Sequence, residues 1–142
     1  MATFTGTAGD DSFLGADGVA DVFNFAPASL GAADTLRGGD APGVVDVLRF
    51  TASGIFTAEM FAGVQGIERI LLASGGNLLT RPPTLESTAQ DRTLEIRGGA
   101  GGDTILGGFS PDATLSLRFL TGSNSSDQVY GGAGADFVAV QG

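Results

Sequence analysis

The sequence predicts an all-β chain: a right-handed parallel β-solenoid, β-roll or β-helix-like, of about six coils of ~23 residues each. Three observations carry this expectation. First, "DTLRGGDAPGVVDVLRF" (34–50) lies over "DTILGGFSPDATLSLRF" (103–119) at an offset of 69, three steps of 23, with eight of seventeen positions identical. Second, glycine-rich turns fall in two columns, one holding "GTAGDD" at 6, "GGNLLT" at 75, "GGAGGD" at 98 and "GSNSSD" at 122, the other holding "GADG" at 15, "GGDAPG" at 38, "GGFSPD" at 107 and "GGAGAD" at 131. Third, an apolar segment follows almost every turn. One coil cannot bury its own apolar face, but stacked coils can, with equivalent strands ~4.8 Å apart and like residues in ladders.

The elements follow in chain order. Thr3-Phe4-Thr5 reads as a strand, and so do 12–14, 35–37, 104–106 and 128–130 after the first column of turns. Longer strands are expected within 22–25, 44–50, 67–73, 115–120 and 137–140 after the second. In-out alternation is plainest where Val45, Val47 and Arg49 oppose Leu48 and Phe50. In the middle, Thr57 can cap a short helical turn through Phe61, with Glu59 near its positive end. Pro82-Pro83 forbid regular strand, so "TRPPTLESTAQDRT" (80–93) is expected to protrude as a loop.

Composition excludes several functions. There is no Cys, His or Lys, which removes disulfides, thiol chemistry, His-based triads and nearly all zinc sites. A net charge of −9 argues against nucleic acid or an anionic membrane as partner. No apolar run is long enough to insert in a membrane. The four Glu (Glu59, Glu68, Glu86, Glu95) are scattered, and catalysis is not expected.

Twelve of the sixteen acids are Asp, and many of them keep the step of the turns. Stacking at that step sets Asp11 against Asp34, Asp17 against Asp40, Asp103 against Asp127 and Asp112 against Asp136. Like charges at that spacing need a cation between them, and carboxylates with turn carbonyls suit Ca²⁺. Gly98, Ala100, Gly102 and Gly107 are the expected carbonyl donors. At least three Ca²⁺ are expected, clustered toward the two ends and sparse in the middle. The alternative for any single Asp is an ordinary turn cap, since Asp readily bonds nearby backbone N–H groups.

"GGAGGDTIL" and "GGAGADFVA" resemble the GGxGxDxUx nonapeptide of the RTX (repeats-in-toxin) calcium-binding family. "GTAGDDSFL" lacks one glycine of the pattern. "GGFSPDATL" has Ser110 in place of the third glycine, and "GSNSSDQVY" keeps Gly122, Asp127 and Val129. "FTGTAGDD" is similar to the start of many secreted proteins of this kind. The coil here is longer than two nonapeptides, and "GIERI" (66–70) resembles coils found between RTX blocks of surface and S-layer-like proteins. The chain 1–142 then reads as one RTX-like solenoid domain, with RTX-type turns at 6–46 and 98–142 and degenerate coils at 52–97.

The resemblance implies Ca²⁺ between successive turns, export by type I secretion, and folding outside the cell. The expected function is that of an extracellular calcium-binding structural protein that folds on Ca²⁺. Neither end of the sequence shows a polar cap, so end-to-end association into a fibre or surface layer is expected. A cell-surface polysaccharide is a further candidate partner. The alternative is a calcium-dependent folding or targeting module of a larger secreted enzyme or adhesin.

Overall fold

The computed structural model describes residues 1–80 and 94–106, together with the backbone of strands at 115–120, 128–130 and 136–141. Its strands are β1 (Thr3–Thr5), β2 (Ser12–Leu14), β3 (Val22–Phe25), β4 (Thr35–Arg37), β5 (Val47–Phe50), β6 (Ile55–Phe56), β7 (Val64–Gln65), β8 (Arg69–Leu71), β9 (Leu78–Thr80), β10 (Glu95–Arg97), β11 (Thr104–Leu106), β12 (Leu115–Leu120), β13 (Gln128–Tyr130) and β14 (Asp136–Gln141). Every strand pair is parallel, which makes the chain a parallel β-solenoid.

One face of the solenoid is the five-stranded sheet β1-β3-β5-β8-β10. Its inner ladder is Phe4, Phe23, Leu48, Ile70 and Ile96, placed opposite one another by the strand register. Two further sheets are β2-β4-β7 and β6-β9-β11-β13, and the coil that holds β5, β6 and β7 contributes a strand to each. Strands β12 and β14 form a separate pair.

The two faces meet through phenylalanine. Phe4 stacks on Phe23 with centroids 4.9 Å apart and reaches Phe13 on the opposite face at 5.3 Å. Phe50 packs against Phe56 at 4.1 Å and meets Phe61 edge-on at 6.2 Å. Phe61 ends a 3-10 turn, Ala58–Phe61, whose first turn is closed by the Met60 N–H donating to the Thr57 carbonyl. The helical turn foreseen from Thr57 to Phe61 is therefore present as a 3-10 turn with Glu59 in its first turn. It joins β6 to β7, which belong to different sheets.

Even coils are not what the chain builds. Equivalent strand heads lie 19, 25 and then 22 residues apart along one face, and 23 or 26 apart elsewhere. The longest ladder among the described residues has five strands, where about six equal coils were expected. The middle, read as degenerate coils, contributes β6 to β10. Of the loop expected at 80–93, Thr80 ends β9, and 81–93 lie outside the described residues.

On the outer face of the long sheet, Arg69 and Glu95 are register partners, joined Nε to Oε2 at 2.5 Å, and Arg97 Nε meets Glu95 Oε1 at 2.7 Å. Burial works to raise the Glu95 carboxyl, but the hydrogen bonds from Arg97 and Arg69 outweigh it and hold it below its ordinary value of 4.5. A depressed folded value means that Glu95 contributes stability above pH 4.5, lost as pH falls through the lower folded value. Glu95→Gln is expected to lower stability at neutral pH and to flatten its fall on acidification. Urea unfolding from about pH 6 to 3 checks this.

Candidate metal centre

At many strand heads a polar side chain turns toward the previous coil and accepts that coil's backbone N–H at the equivalent position. Three such series occur among the described residues.

The first holds Asp11 and Asp34, at the heads of β2 and β4. The Asp11 N–H donates to Asp34 Oδ1 at 2.7 Å, and the Gly31 N–H donates to Asp34 Oδ2 at 2.7 Å. Asp11 in turn accepts the Thr7 N–H at 2.6 Å and the Thr7 hydroxyl at 3.0 Å. The two acids stand in adjacent coils in the expected register, 23 residues apart.

The second series was not foreseen. Asp21, Asp46 and Glu68 head β3, β5 and β8, and all three are buried. Asp21 accepts the N–H groups of Ala2 and Ala16, and Asp46 accepts those of Asp21 and Gly39. Glu68 accepts the Asp46 N–H at 2.8 Å. The result is a buried acidic spine along one corner of the solenoid. Burial pushes the Asp46 carboxyl above its ordinary value; the N–H bonds from Asp21 and Gly39 oppose this, and the Asp21 charge adds to it. A usable signal was in the sequence, namely an acid directly before each of the strands β3, β5 and β8. The uneven steps of 25 and 22 hide it from a ruler of fixed length.

The third series is Asn77 and Asp103, at the heads of β9 and β11. The Gly54 N–H donates to Asn77 Oδ1, and the Asn77 N–H donates to Asp103 Oδ1. Asp103 is fully buried.

The other expected ligands fall in several places. Asp17 and Asp40 are exposed in adjacent turns, joined by the Asp40 N–H donating to Asp17 Oδ1 at 3.0 Å. They line a groove with Leu14, Arg37 and Gln65, so a cation there would share the space with a guanidinium. The Ala100 carbonyl accepts the Gly75 N–H at 2.6 Å, which stacks turn 98–103 on turn 73–77. The Gly102 carbonyl faces Gly76 in the same stack, and Gly98 lies beside Leu71, Leu72 and Arg97. Asp136 opens β14 opposite Leu115, three positions beyond the expected partner Asp112. Gly107, Asp112 and Asp127 lie outside the described residues, and so does the side chain of Asp136.

The donors suit calcium in kind. They are carboxylate, hydroxyl and carbonyl oxygens, with no thiolate or imidazole in the chain. A carboxylate has about four acceptor sites, and the described N–H bonds to Asp34 use two of them, so capacity for a cation remains. No group of three or more acids able to hold a metal occurs among the described residues, so a cation there draws on turn carbonyls too.

Comparison with known families matches the RTX calcium-binding nonapeptide repeat, in four copies, over residues 3–19, 95–112 and 119–139. The matched segments contain the heads of β2 and β11 and the residues 122–127 that precede β13 in the sequence. Comparison with curated proteins and with solved structures gives no match.

Proposed function

Since this chain carries RTX nonapeptide repeats, which bind calcium, we propose that it is an extracellular structural protein, without catalytic activity, whose coils are completed by Ca²⁺ and stack end to end with those of neighbouring copies. The observation that carries this reading is the in-register stacking of Asp11 on Asp34 within a parallel ladder. Bound Ca²⁺ supplies positive charge where stacked carboxylates would otherwise repel. Asp11 with Asp34 and Asp103 with Asp127 are the pairs assigned to hold it, and Asp17 with Asp40 and Asp112 with Asp136 are weaker candidates. Carbonyls of Gly98, Ala100, Gly102 and Gly107 would complete the shell.

The support for stacking is geometric. Strands β1 and β2 are outer strands, each paired on one side among the described residues. Thr3, Thr5, Ser12 and Leu14 are exposed there, with Leu14 72% accessible. An outer strand presents backbone N–H and C=O groups to any parallel strand that matches it. The internal repeat makes "GTAGDD" of one copy a match for "GSNSSD" or "GGAGAD" of another. Such a contact is heterologous and propagates as a fibre unless it closes into a ring.

Assembly is therefore expected to require Ca²⁺ and to reverse with chelator. Asp11→Ala and Asp127→Ala are expected to weaken it more than Asp91→Ala does. Light scattering and electron microscopy with and without Ca²⁺ test this. A chain that binds Ca²⁺ but stays monomeric at high concentration is instead a calcium-dependent module of a larger secreted enzyme or adhesin.

A further inference from the structure

The amide nitrogen of Asn77 sits among three oxygens. Its Nδ2 donates to the Ala73 carbonyl at 2.8 Å, to the Gly75 carbonyl at 3.1 Å and to Asp103 Oδ1 at 2.8 Å. Two carbonyls and one carboxylate converging on one point form a hard oxygen set of the kind that holds a divalent cation. The orientation of the amide is fixed by its other end, because Oδ1 accepts the Gly54 N–H and would meet three oxygens if reversed. Asn77 is buried, 3% accessible. The register sets Leu78 opposite Thr104, so Asn77 occupies the place in its coil that Asp103 occupies in the next.

We infer that Asn77 stands in for a metal ion: its amide supplies the positive charge for the 73–77/103 rung, which folds and stays folded without Ca²⁺. An Asp at position 77 would set two buried carboxylates and two carbonyls around one point, an arrangement that needs a cation. The amide supplies partial positive charge at that point with no ion and no net charge. The solenoid then holds a rung that needs no ion on its Asn77 side, sharing Asp103 with the calcium-binding repeat at 95–112. The wild-type arm of the test below does not depend on the calcium reading above; the variant arm does.

The test is residue-resolved hydrogen exchange of the full chain, wild type and Asn77→Asp, in excess EGTA and in millimolar Ca²⁺. The reporters are the N–H groups of Gly54 and Leu78, which donate to Asn77 Oδ1 and to the Gly54 carbonyl and touch none of the groups assigned to Ca²⁺ above. In the wild type their exchange is expected to change less than about threefold on chelation. In Asn77→Asp it is expected to quicken more than about tenfold in EGTA and to recover in Ca²⁺. Calorimetry should then count one more Ca²⁺ in the variant than in the wild type. Wild-type reporters that lose protection in EGTA and regain it in Ca²⁺ overturn the inference, and so does a folded variant that takes up no extra Ca²⁺. If the variant does not fold in Ca²⁺, the wild-type arm decides alone. A wild type that keeps these amides protected yet binds no Ca²⁺ supports the inference and removes the function proposed above.

Discussion

Asp46→Ala is expected to lower the unfolding free energy by about 2–6 kcal/mol. The carboxylate of Asp46 is the acceptor for two N–H groups, that of Asp21 in the preceding coil and that of Gly39 in its own turn, both at 2.8 Å. The site is closed to water, with Asp46 fully buried. Alanine leaves both donors unsatisfied, at about 1–3 kcal/mol each. Loss of a buried charge returns part of this, because burial already holds the Asp46 carboxyl above its ordinary value. The same raised value fixes the sign with pH. The Asp46 carboxyl favours folding most when protonated, below its ordinary 3.8, and that contribution is lost as pH rises through the raised folded value. The cost of Asp46→Ala is therefore expected to be larger in acid than at neutral pH. Against a typical total of about 5–15 kcal/mol, the loss is enough to unfold a marginal domain. Urea unfolding measures it. A change below about 1 kcal/mol would mean that both N–H groups find other acceptors.

Gly38→Ala is expected to be at least as damaging, for a steric reason. Coils that stack backbone on backbone leave no room for a side chain where two turns touch. A Cβ at position 38 would run into the carbonyl oxygen of Gly66 in the next coil and come within 2.6 Å of Asp46 Oδ2. Neither obstacle is the free end of a flexible side chain. The Gly38 N–H also donates to the Gln65 carbonyl, so opening the gap breaks a rung bond. The expected cost exceeds the ~1–3 kcal/mol usual for one methylene too many in a packed interior. Gly18→Ala is the control. Gly18 has φ +75 with nothing near its missing Cβ, so only left-handed backbone strain of about 1–2 kcal/mol is expected. Thermal unfolding of the two variants side by side separates crowding from strain. Equal shifts would show that the turns at 38 and 66 are free to part.

Much of the fold was legible because a solenoid repeats its own grammar. The segments read as strands at 12–14, 22–25, 35–37, 104–106, 115–120 and 128–130 coincide with β2, β3, β4, β11, β12 and β13. Each combines a glycine turn with a short apolar run, so local chemistry and stacking agree. The middle was harder for a physical reason. Strands β6 and β7 have two residues each, too short to show a period of two, and the 3-10 turn between them carries Phe61 into the core.

The acids were half legible. Asp11, Asp34 and Asp103 were found by their fixed step, and the structure places all three at strand heads. The alternative of turn capping also describes what these carboxylates do, since each accepts backbone N–H groups or their neighbouring hydroxyl. Asp21, Asp46 and Glu68 escaped notice because their spacing varies and because Glu68 is not an aspartate. Asn77 escaped because a search for carboxylates passes over an amide that fills the same position.

Calcium binding by the stacked turns is tested most directly by thermal unfolding in EGTA and in rising Ca²⁺, with calorimetric counting of bound ions. Binding to the folded chain alone adds about 2.7 kcal/mol per site at a hundredfold excess over Kd. At least three Ca²⁺ are expected to bind and the unfolding midpoint to climb with Ca²⁺ concentration, with Asp34→Asn reducing both. A midpoint that ignores Ca²⁺, with no heat of binding in the millimolar range, would contradict calcium binding by these turns.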